Sequence, residues 1–340
     1  MHRRFYLLAA AVCLALVACS DDIPLPPAQP LAADESSIAR LYAAQPGALE
    51  VASIGNLALP ANSEQRELRF NLYYPAAGDS YPLLLFSHGN WSDKDSYDHI
   101  IEHWVSHGYA VIAPNHLDCC SAVQGIYNSL RHGQLGLIEA RVADLQRLLA
   151  QLPAIEQLHP GFARKADRSR LAVTGHSFGA FTAQQLGGAA ALDPDNGKYT
   201  SHRDPHVRAV VALSPPGPMF DTITADSWLQ LSAPTLVATG TWDIQPRFWP
   251  DWRMHLMSWE TALPGDKYAL VTQGADHYLG NLICRPQREA PPQKDALRML
   301  QIGTTAFLDA YLKGDMAATA FIAGDQLAEK TGGFSSLSRR

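Results

Sequence analysis

The sequence predicts an α/β protein with a mostly parallel β-sheet that is covered by helices on both faces. Short, continuously apolar segments such as residues 81–87 and 110–114 are typical of strands buried on both faces. Segments with the apolar spacing of helices alternate with these strands along most of the chain. The 340 residues, 47% of them hydrophobic, supply enough apolar material for one large core.

An antiparallel pair of strands is predicted ahead of this alternation, at residues 50–60 and 65–75, where polar and apolar residues alternate. Six further strands are predicted at residues 81–87, 110–114, 170–175, 207–214, 234–240 and 268–272. Helices are predicted at residues 93–107, 133–152, 178–191 and 295–312. The connection at residues 216–233 is short, so we expect no large lid over the sheet edge.

The charge pattern argues against a nucleic-acid-binding protein. The formal net charge is −6, and no run of like charge is long enough to form a basic surface or an acidic tail. We therefore expect no nucleic-acid partner.

The N-terminus has the pattern of an export signal. Arg3 and Arg4 precede the apolar stretch at residues 5–17, which is short for a membrane span. The sequence Leu-Val-Ala-Cys that ends at Cys19 resembles the lipobox of bacterial lipoproteins, in which the cysteine is lipidated after cleavage. The resemblance implies a signal peptide at residues 1–18 and an exported protein, anchored by lipid to a membrane of the bacterial cell envelope. A plain signal-peptidase site near a cysteine is the alternative.

Composition divides the rest of the chain into three parts. Residues 19–49 are predicted to be a tether that follows the lipid, because residues 20–35 are rich in proline and poor in large apolar residues. Residues 50–314 are predicted to be the folded domain. Residues 315–340 are rich in small and polar residues and are predicted to be a C-terminal tail.

The cysteines allow one disulfide in the predicted domain. Export implies an oxidising compartment, and Cys119, Cys120 and Cys284 remain beyond the signal region. At most one bridge can form among the three: a bridge from Cys284 to Cys119 or Cys120 would tie two loops, and a bridge between the adjacent Cys119 and Cys120 is the rarer alternative. The three cysteines lack the paired spacing of zinc sites, so we expect no metal there.

A serine, an aspartate and a histidine each follow a predicted strand, in that chain order. Ser177 lies in the sequence GHSFG after residues 170–175, Asp243 in GTWD after residues 234–240, and His277 in GADHY after residues 268–272. The carboxyl ends of parallel strands lie at one edge of the sheet, where function gathers. This chain order is that of the α/β-hydrolase fold, and residues 50–314 resemble a member of it.

These residues have the chemistry of a nucleophilic triad. Ser177 is a weak nucleophile that needs a base, His277 is the candidate base, and Asp243 would orient the imidazole. Asp221 and Asp276 are rival acids, because Asp221 follows the sixth predicted strand and Asp276 adjoins His277. Such a triad needs no metal and no organic cofactor.

The resemblance also implies two backbone donors for the oxyanion. They are the N–H of Phe178, directly after the nucleophile, and the N–H of Asn90, with Trp91 as the alternative to Asn90. Two nearby histidines, His88 and His176, do not follow the last strand, and we expect them to have structural roles.

Apolar residues follow the same strand ends. They are candidates for an acyl or aromatic pocket, although ordinary packing at the rim of the sheet would account for them equally well. They are Trp91, Phe178, Met219, Phe220, Trp242 and Tyr278.

A narrower resemblance lies in PLLLFSHGN, YAVIAPNHLDCCSA and RVADL, between residues 82 and 145. These segments resemble the branch of the fold that contains platelet-activating-factor acetylhydrolase type II, chlorophyllases and dienelactone-hydrolase-like esterases. The branch implies a serine carboxylic ester hydrolase acting on short-chain, phospholipid-type or other accessible esters. The chain departs from dienelactone hydrolase by carrying Ser177 instead of a cysteine. It departs from the acetylhydrolase by carrying Ser214 where that enzyme has its acid.

Other functions fit parts of the sequence. The same triad would serve a peptidase, an acyltransferase or a polyester hydrolase, and a non-catalytic lipoprotein binding module is a further alternative. Residues 99–103 also match the H-x-x-E-H pattern of a zinc peptidase. We expect His99 and His103 to lie on the solvated face of their helix, away from any metal.

Overall fold

The computed structural model describes residue 31 and residues 34–63, 65–246, 248–285 and 290–340. The predicted signal peptide and Cys19 lie outside the described residues, as do residues 20–30 of the predicted tether. Among the helices of the described part, none has the length and apolar character needed to span a membrane.

The centre of the fold is a nine-stranded sheet in the described part of the chain. Two further strands lie outside this sheet. In chain order the strands are β1 (Val51–Leu59), β2 (Leu68–Pro75), β3 (Tyr81–Ser87), β4 (Ala110–Pro114), β5 (Ala166–His176), β6 (Ala190–Asp193), β7 (Lys198–Ser201), β8 (Val207–Leu213), β9 (Thr235–Gly240), β10 (Lys267–Thr272) and β11 (Ser335–Arg339). The order across the sheet is β1-β2-β4-β3-β5-β8-β9-β10-β11, and β6 and β7 form a separate hairpin.

Six neighbouring strands, from β4 to β10 in the sheet order, run parallel to one another. The β1–β2 pair at one edge is antiparallel, and so is the contact of β2 with β4. Both the parallel sheet and the N-terminal antiparallel pair are as predicted. The architecture is that of the α/β-hydrolase fold.

Helices cover both faces of the sheet. The helices are α1 (Glu35–Ile38), α2 (Asp98–Ser106), α3 (Ala122–Ala150), α4 (Leu152–Leu158), α5 (Phe178–Gly187), α6 (Met257–Thr261), α7 (Lys294–Leu308), α8 (Met316–Ala323) and α9 (Gln326–Lys330). A π-helical turn (Asp309–Lys313) and two 3-10 helices (Ala225–Trp228 and Trp252–Leu256) complete the set.

Alternate residues of each buried strand point into two separate cores. In β3, Leu84 and Phe86 pack in the core that α2 and α7 cover. Leu83 and Leu85 pack in the core beneath α3, α4 and α5. Since both faces of the strand are buried, residues 82–86 are all apolar, which is the pattern seen in the sequence.

Helix α3 begins earlier than predicted. The prediction started it at Gly133, but the helix begins at Ala122, with the Ser121 side chain accepting a hydrogen bond from Gln124 N. Gly133 has φ 69° and marks a kink inside it. The first part of the helix exposes Val123, Tyr127 and Leu130. Its apolar residues therefore do not mark a buried face, and the periodicity gave no signal.

The prediction that residues 315–340 form a tail is wrong. They form α8, α9 and β11, and β11 pairs antiparallel with β10 at the edge of the sheet. Phe321, Ile322, Leu327 and Phe334 are buried in the core that α2 and α7 cover. A few apolar side chains are enough to hold this segment on the domain, because β11 also pairs with β10, which would otherwise be an unpaired edge strand.

The predicted tether also ends earlier than residue 49. Ile38 and Leu41 are buried, and α1 begins after Asp34, which caps it by accepting a hydrogen bond from Ser37 N. The short apolar stretch after the proline-rich segment packs on the domain. The connection from β8 to β9 carries one short 3-10 helix, Ala225–Trp228, and no large lid lies in the described part of the chain.

The packing of α8 generates a prediction on stability. Phe321 is 4% exposed and its ring centroid lies 6.0 Å from that of Tyr42, whereas Met316 in the same helix is 79% exposed. Replacing Phe321→Ala is expected to lower the free energy of unfolding by about 3 to 5 kcal/mol, because it leaves a cavity. Met316→Ala is expected to change it by less than about 0.5 kcal/mol. Urea denaturation measures both, and equal small effects would mean that α8 does not pack on the domain.

Candidate active site

Ser177 lies at the turn between β5 and α5. Its backbone has φ 53° and ψ −124°, a positive φ that few residues other than glycine adopt. The Ser177 N–H donates to the carbonyl of Leu213 on β8 at 2.8 Å, which fixes the turn to the neighbouring strand. Ser177 is partly exposed, while His176 and Phe178 on either side are buried. The turn therefore presents the serine hydroxyl at the carboxyl edge of the sheet.

The two glycines of the turn are required by close packing. A Cβ atom on Gly175 would lie 2.3 Å from the carbonyl oxygen of Gly179. A Cβ atom on Gly179 would lie 2.1 Å from the carbonyl oxygen of Ser87, at the end of β3. The beginning of α5 thus lies directly against two strand ends, and the spacing seen in the sequence follows from this contact.

Asp243 and His277 meet at the carboxyl ends of β9 and β10. His277 Nδ1 lies 2.7 Å from Asp243 Oδ1, and Thr239 Oγ1 donates to Asp243 Oδ2 at 2.9 Å. Burial alone would raise the pKa of Asp243, but the imidazoles of His255 and His277 hold it well below its usual range. The carboxylate is therefore ionised and accepts from His277 Nδ1, which leaves Nε2 as the nitrogen that can accept a proton.

The rival aspartates do not reach His277. Asp221 is exposed beyond β8. The Asp276 carboxylate accepts hydrogen bonds from the N–H groups of Tyr278 and Gly280, at 2.8 and 3.1 Å, within its own loop. The structure thus brings Asp243, and not Asp221 or Asp276, into contact with the histidine.

A second histidine at Asp243 escaped the sequence analysis. His255 lies in the 3-10 helix Trp252–Leu256, fully buried, with Nε2 2.9 Å from Asp243 Oδ1 and Nδ1 2.7 Å from the carbonyl oxygen of Pro215. It follows no strand and belongs to no motif, so the sequence carries no signal for it.

Asp243, His255 and His277 have donor atoms close enough together to be considered for a metal ion, and they are the one such group in the described part of the chain. The His277–Asp243 contact at 2.7 Å is a hydrogen bond, and the His255–Asp243 contact at 2.9 Å has the separation of an ion pair but not the geometry of a hydrogen bond. We therefore interpret the cluster as a His–Asp–His network and not as a metal site.

The expected oxyanion donors lie on two elements that face each other. Phe178 is the first residue of α5, so its N–H has no acceptor within the helix. Asn90 and Trp91 are the central residues of a turn that is closed by the bond from Ser92 N to Gly89 O, at 3.2 Å. Trp91 has φ 63° in this turn. We refer to residues 89–92 as the oxyanion loop.

A buried ion pair supports the oxyanion loop. Arg141 on α3 donates to both carboxylate oxygens of Asp118, at 2.9 and 2.7 Å, and to the carbonyls of His88 and Gly89. With its amide nitrogen towards Asp118, Asn90 donates to the same carboxylate at 2.7 Å. Burial alone would raise the pKa of Asp118, but Arg141 lowers it to about 2. The loop is therefore held by a charged pair that is sealed from water.

His88 and His176 have structural roles, as expected. His88 Nδ1 donates to Gly89 O at 2.7 Å, and its Nε2 accepts from His116 N. His176 Nε2 donates to the carbonyl of His277 at 2.9 Å. Burial holds the pKa of both imidazoles well below its ordinary value, so both are neutral.

The predicted pocket residues have different surroundings in the structure. The Tyr278 ring lies 5.0 Å from that of His277, and so does the ring of Trp249, which the sequence analysis missed. Trp91 packs against the backbone of Gly125 on α3, while Met219 and Trp242 are half-buried.

A small cavity of about 30 Å³ lies behind His277. Ser214, Thr239 and Asp276 are among the residues that line it. It has room for about one water molecule, so it is not a substrate pocket.

The disulfide is the rarer of the pairings that the sequence left open. Cys119 and Cys120 are bridged to each other, and Cys284 is a free, partly buried thiol. Burial raises the pKa of the Cys284 thiol. A Cβ atom on Gly89 would lie 3.5 Å from Cys284 Sγ, so this sulfur packs directly behind the oxyanion loop.

The prediction for His103 is also wrong. His99 is exposed, but His103 is buried, with its ring 4.6 Å from that of His107. The segment before β1 covers the end of α2, where Leu49 N donates to the carbonyl of Ser106. Burial lowers the pKa of His103 to about 3. The two histidines of the H-x-x-E-H pattern thus lie in different environments.

Two comparisons with known proteins found similarity over part of the chain. The model of the Chlorophyllase family matches residues 47–195, a segment that contains Asn90 and Ser177 and ends before Asp243. Cutinase est2 of Thermobifida alba is 24% identical over 230 residues, which are 65% of this chain and 63% of the cutinase. The match thus spans less than two thirds of that relative. Together the two matches support an α/β-hydrolase-type esterase in general.

The turn at Ser177 generates a second prediction. Gly179→Ala is expected to lower the free energy of unfolding by about 3 kcal/mol, because the added methyl group meets a backbone carbonyl that cannot rotate away. The matched control is Gly136→Ala in α3, where the nearest atom to the added Cβ is 3.4 Å away. It is expected to stabilise the helix by up to about 1 kcal/mol. If denaturant titration found the two variants equally stable, the close packing of the turn would be refuted.

Proposed function

We propose that this chain is a serine-dependent carboxylic ester hydrolase that works through an acyl-enzyme, with Ser177, His277 and Asp243 as its triad. The observation that carries the proposal is the 2.7 Å contact between His277 Nδ1 and the fully buried Asp243 carboxylate, at the sheet edge that also carries the strained turn of Ser177. A serine, a base and a buried acid at the carboxyl ends of β5, β10 and β9 constitute the apparatus for acyl transfer.

In the first half of the proposed reaction, Ser177 Oγ attacks the ester carbonyl while His277 Nε2 takes its proton. The protonated imidazole is stabilised by Asp243, which is ionised and already bonded to Nδ1. His277 then gives the proton to the leaving alkoxide, and the acyl group stays on Ser177. In the second half, His277 removes a proton from water, and the resulting attack releases the acid.

The charge that develops on the carbonyl oxygen needs donors that are in place beforehand. The N–H groups of Phe178 and Asn90 are proposed for this role, and each such donor is worth roughly 3 kcal/mol in comparable sites. Arg141 and Asp118 act on this step indirectly, because they hold the oxyanion loop. Pre-oriented donors of this kind lower the barrier without rearranging during the reaction.

We propose accessible esters as substrates: short-chain, phospholipid-type or other esters that reach an open site. The absence of a large lid in the described residues and the aromatic rings of Trp249 and Tyr278 beside His277 support this choice. The match to a cutinase favours polyester hydrolysis as a second candidate function. A peptidase or an acyltransferase would use the same triad, since the pocket and not the triad selects the acceptor.

We further propose that the chain works at a membrane of the bacterial cell envelope. The lipobox resemblance around Cys19 supports a lipid anchor, with the residues up to the start of α1 as the tether. This would hold the site near lipid and envelope esters.

The role of Ser177 is tested with p-nitrophenyl esters from acetyl to palmitoyl. Ser177→Ala is expected to lower kcat/KM on every hydrolysed ester at least about 10⁴-fold, because the nucleophile is removed. An unchanged circular dichroism spectrum of the variant serves as the control for folding. Undiminished turnover by the purified variant would refute the mechanism.

The role of Asp243 is tested against its two rivals. Asp243→Asn is expected to lower kcat roughly 10³- to 10⁴-fold, because the amide no longer stabilises the protonated form of His277. Asp221→Asn and Asp276→Asn are the matched controls and are expected to lower kcat less than about tenfold, since neither carboxylate contacts His277. If Asp276→Asn or Asp221→Asn caused the larger loss, the acid would have to be reassigned.

A further inference from the structure

His255 is placed so that both of its ring nitrogens face acceptors. Nδ1 lies 2.7 Å from the carbonyl oxygen of Pro215, and Nε2 lies 2.9 Å from Asp243 Oδ1. A backbone carbonyl accepts hydrogen bonds and never donates them, and the Asp243 carboxylate is ionised. A neutral imidazole carries one N–H and one lone pair, so it would set a lone pair against one of these oxygens. The Nδ1 contact is a hydrogen bond, whereas the Nε2 contact is a close approach to the carboxylate without hydrogen-bond geometry. The imidazolium makes both contacts favourable, because it donates to the carbonyl and places its positive charge beside the carboxylate.

Among the described residues, Asp243 is the carboxylate within ion-pair distance of His255. The His277 ring centroid lies 5.6 Å from that of His255, with His176 beyond. The ring of Trp249 packs edge-on against His255 at 5.7 Å. Burial alone would lower the pKa of His255, but the Asp243 carboxylate raises it above its ordinary value.

We propose that His255 is a positioning residue, held as an imidazolium, that shares the Asp243 carboxylate with His277 and thereby sets the pH range in which His277 acts as a base. The inference rests on the proposed function, because it concerns the base of that reaction. In this proposal His255 is a positive charge beside the triad that acts on His277 through Asp243.

The consequence is electrostatic. Asp243 stabilises the protonated form of His277, and a second cation on the same carboxylate oxygen weakens that stabilisation. His255 therefore favours the unprotonated form of His277, which is the form that can accept the proton of Ser177. At the same time it anchors Asp243 to the β8–β9 connection, through Pro215.

The first experiment is a pH profile of kcat/KM on p-nitrophenyl acetate for the full chain and for His255→Gln. The glutamine amide can donate to Asp243 but carries no charge. We expect the acidic limb of the profile to move up by about one pH unit, since Asp243 then acts on His277 alone. The matched control is His206→Gln, an exposed histidine that pairs with Asp204, and its limb is expected to stay in place.

A purely structural role for His255 would give a different result. The rate would then fall by a similar factor at every pH, with the limb unmoved. That outcome would overturn the proposal, and so would a limb displaced towards lower pH.

The second experiment does not depend on activity, and it needs only one of two variants to fold. Nitrogen NMR of the histidine-labelled, full-length wild-type chain at pH 7 is expected to show His255 with both ring nitrogens protonated, its signals identified by their loss in His255→Gln or His255→Asn. A neutral His255 would overturn the proposal whether or not the chain hydrolyses esters. A charged His255 in a chain that hydrolyses no ester would sustain the ion pair and refute the proposed function instead.

Discussion

The buried carboxylate of Asp243 connects more of the functional edge than any motif in the sequence suggests. It lies at the end of β9, accepts from Thr239 on its own strand, and contacts the imidazoles of His277 after β10 and His255 in the β9–β10 connection. An ionised group is tolerated without water only where partners compensate its charge. The two loops that contain His255 and His277 are therefore held in place by their contacts with Asp243, which is also the proposed acid of the triad.

A second buried charge organises the opposite side of the site. The pair of Arg141 with Asp118 fastens the carbonyls of His88 and Gly89, and Asn90 completes it. The two sides are joined through Tyr97, whose hydroxyl accepts from Gly89 N and donates to His176, which in turn holds the carbonyl of His277. The oxyanion loop and the loop that carries His277 are thus linked through buried side chains. A shift of either loop would break buried hydrogen bonds that water cannot reach to replace.

The parts of the fold that the sequence predicted are those governed by local rules. The continuous apolar runs of β3 and β4 marked strands buried on both faces, and their predicted bounds agree with the structure. The glycines around Ser177 marked the turn, because any side chain there meets a backbone carbonyl. The chain order placed Ser177, Asp243 and His277 at one edge of the sheet, since parallel strands end on the same side, and Asp243 and His277 are in contact there.

The sequence by itself therefore determined the sheet, the turn and the three residues of the candidate triad, because strand burial and turn sterics act between near neighbours in the chain. Tertiary structure alone decided that residues 315–340 add β11 to the sheet beside β10, and that the segment before β1 bonds to the end of α2, the helix of His103. It alone also brought His255 to Asp243. Each of these depends on which surface a segment meets after the chain has folded, and residues far apart in sequence carry no periodicity that encodes such a meeting.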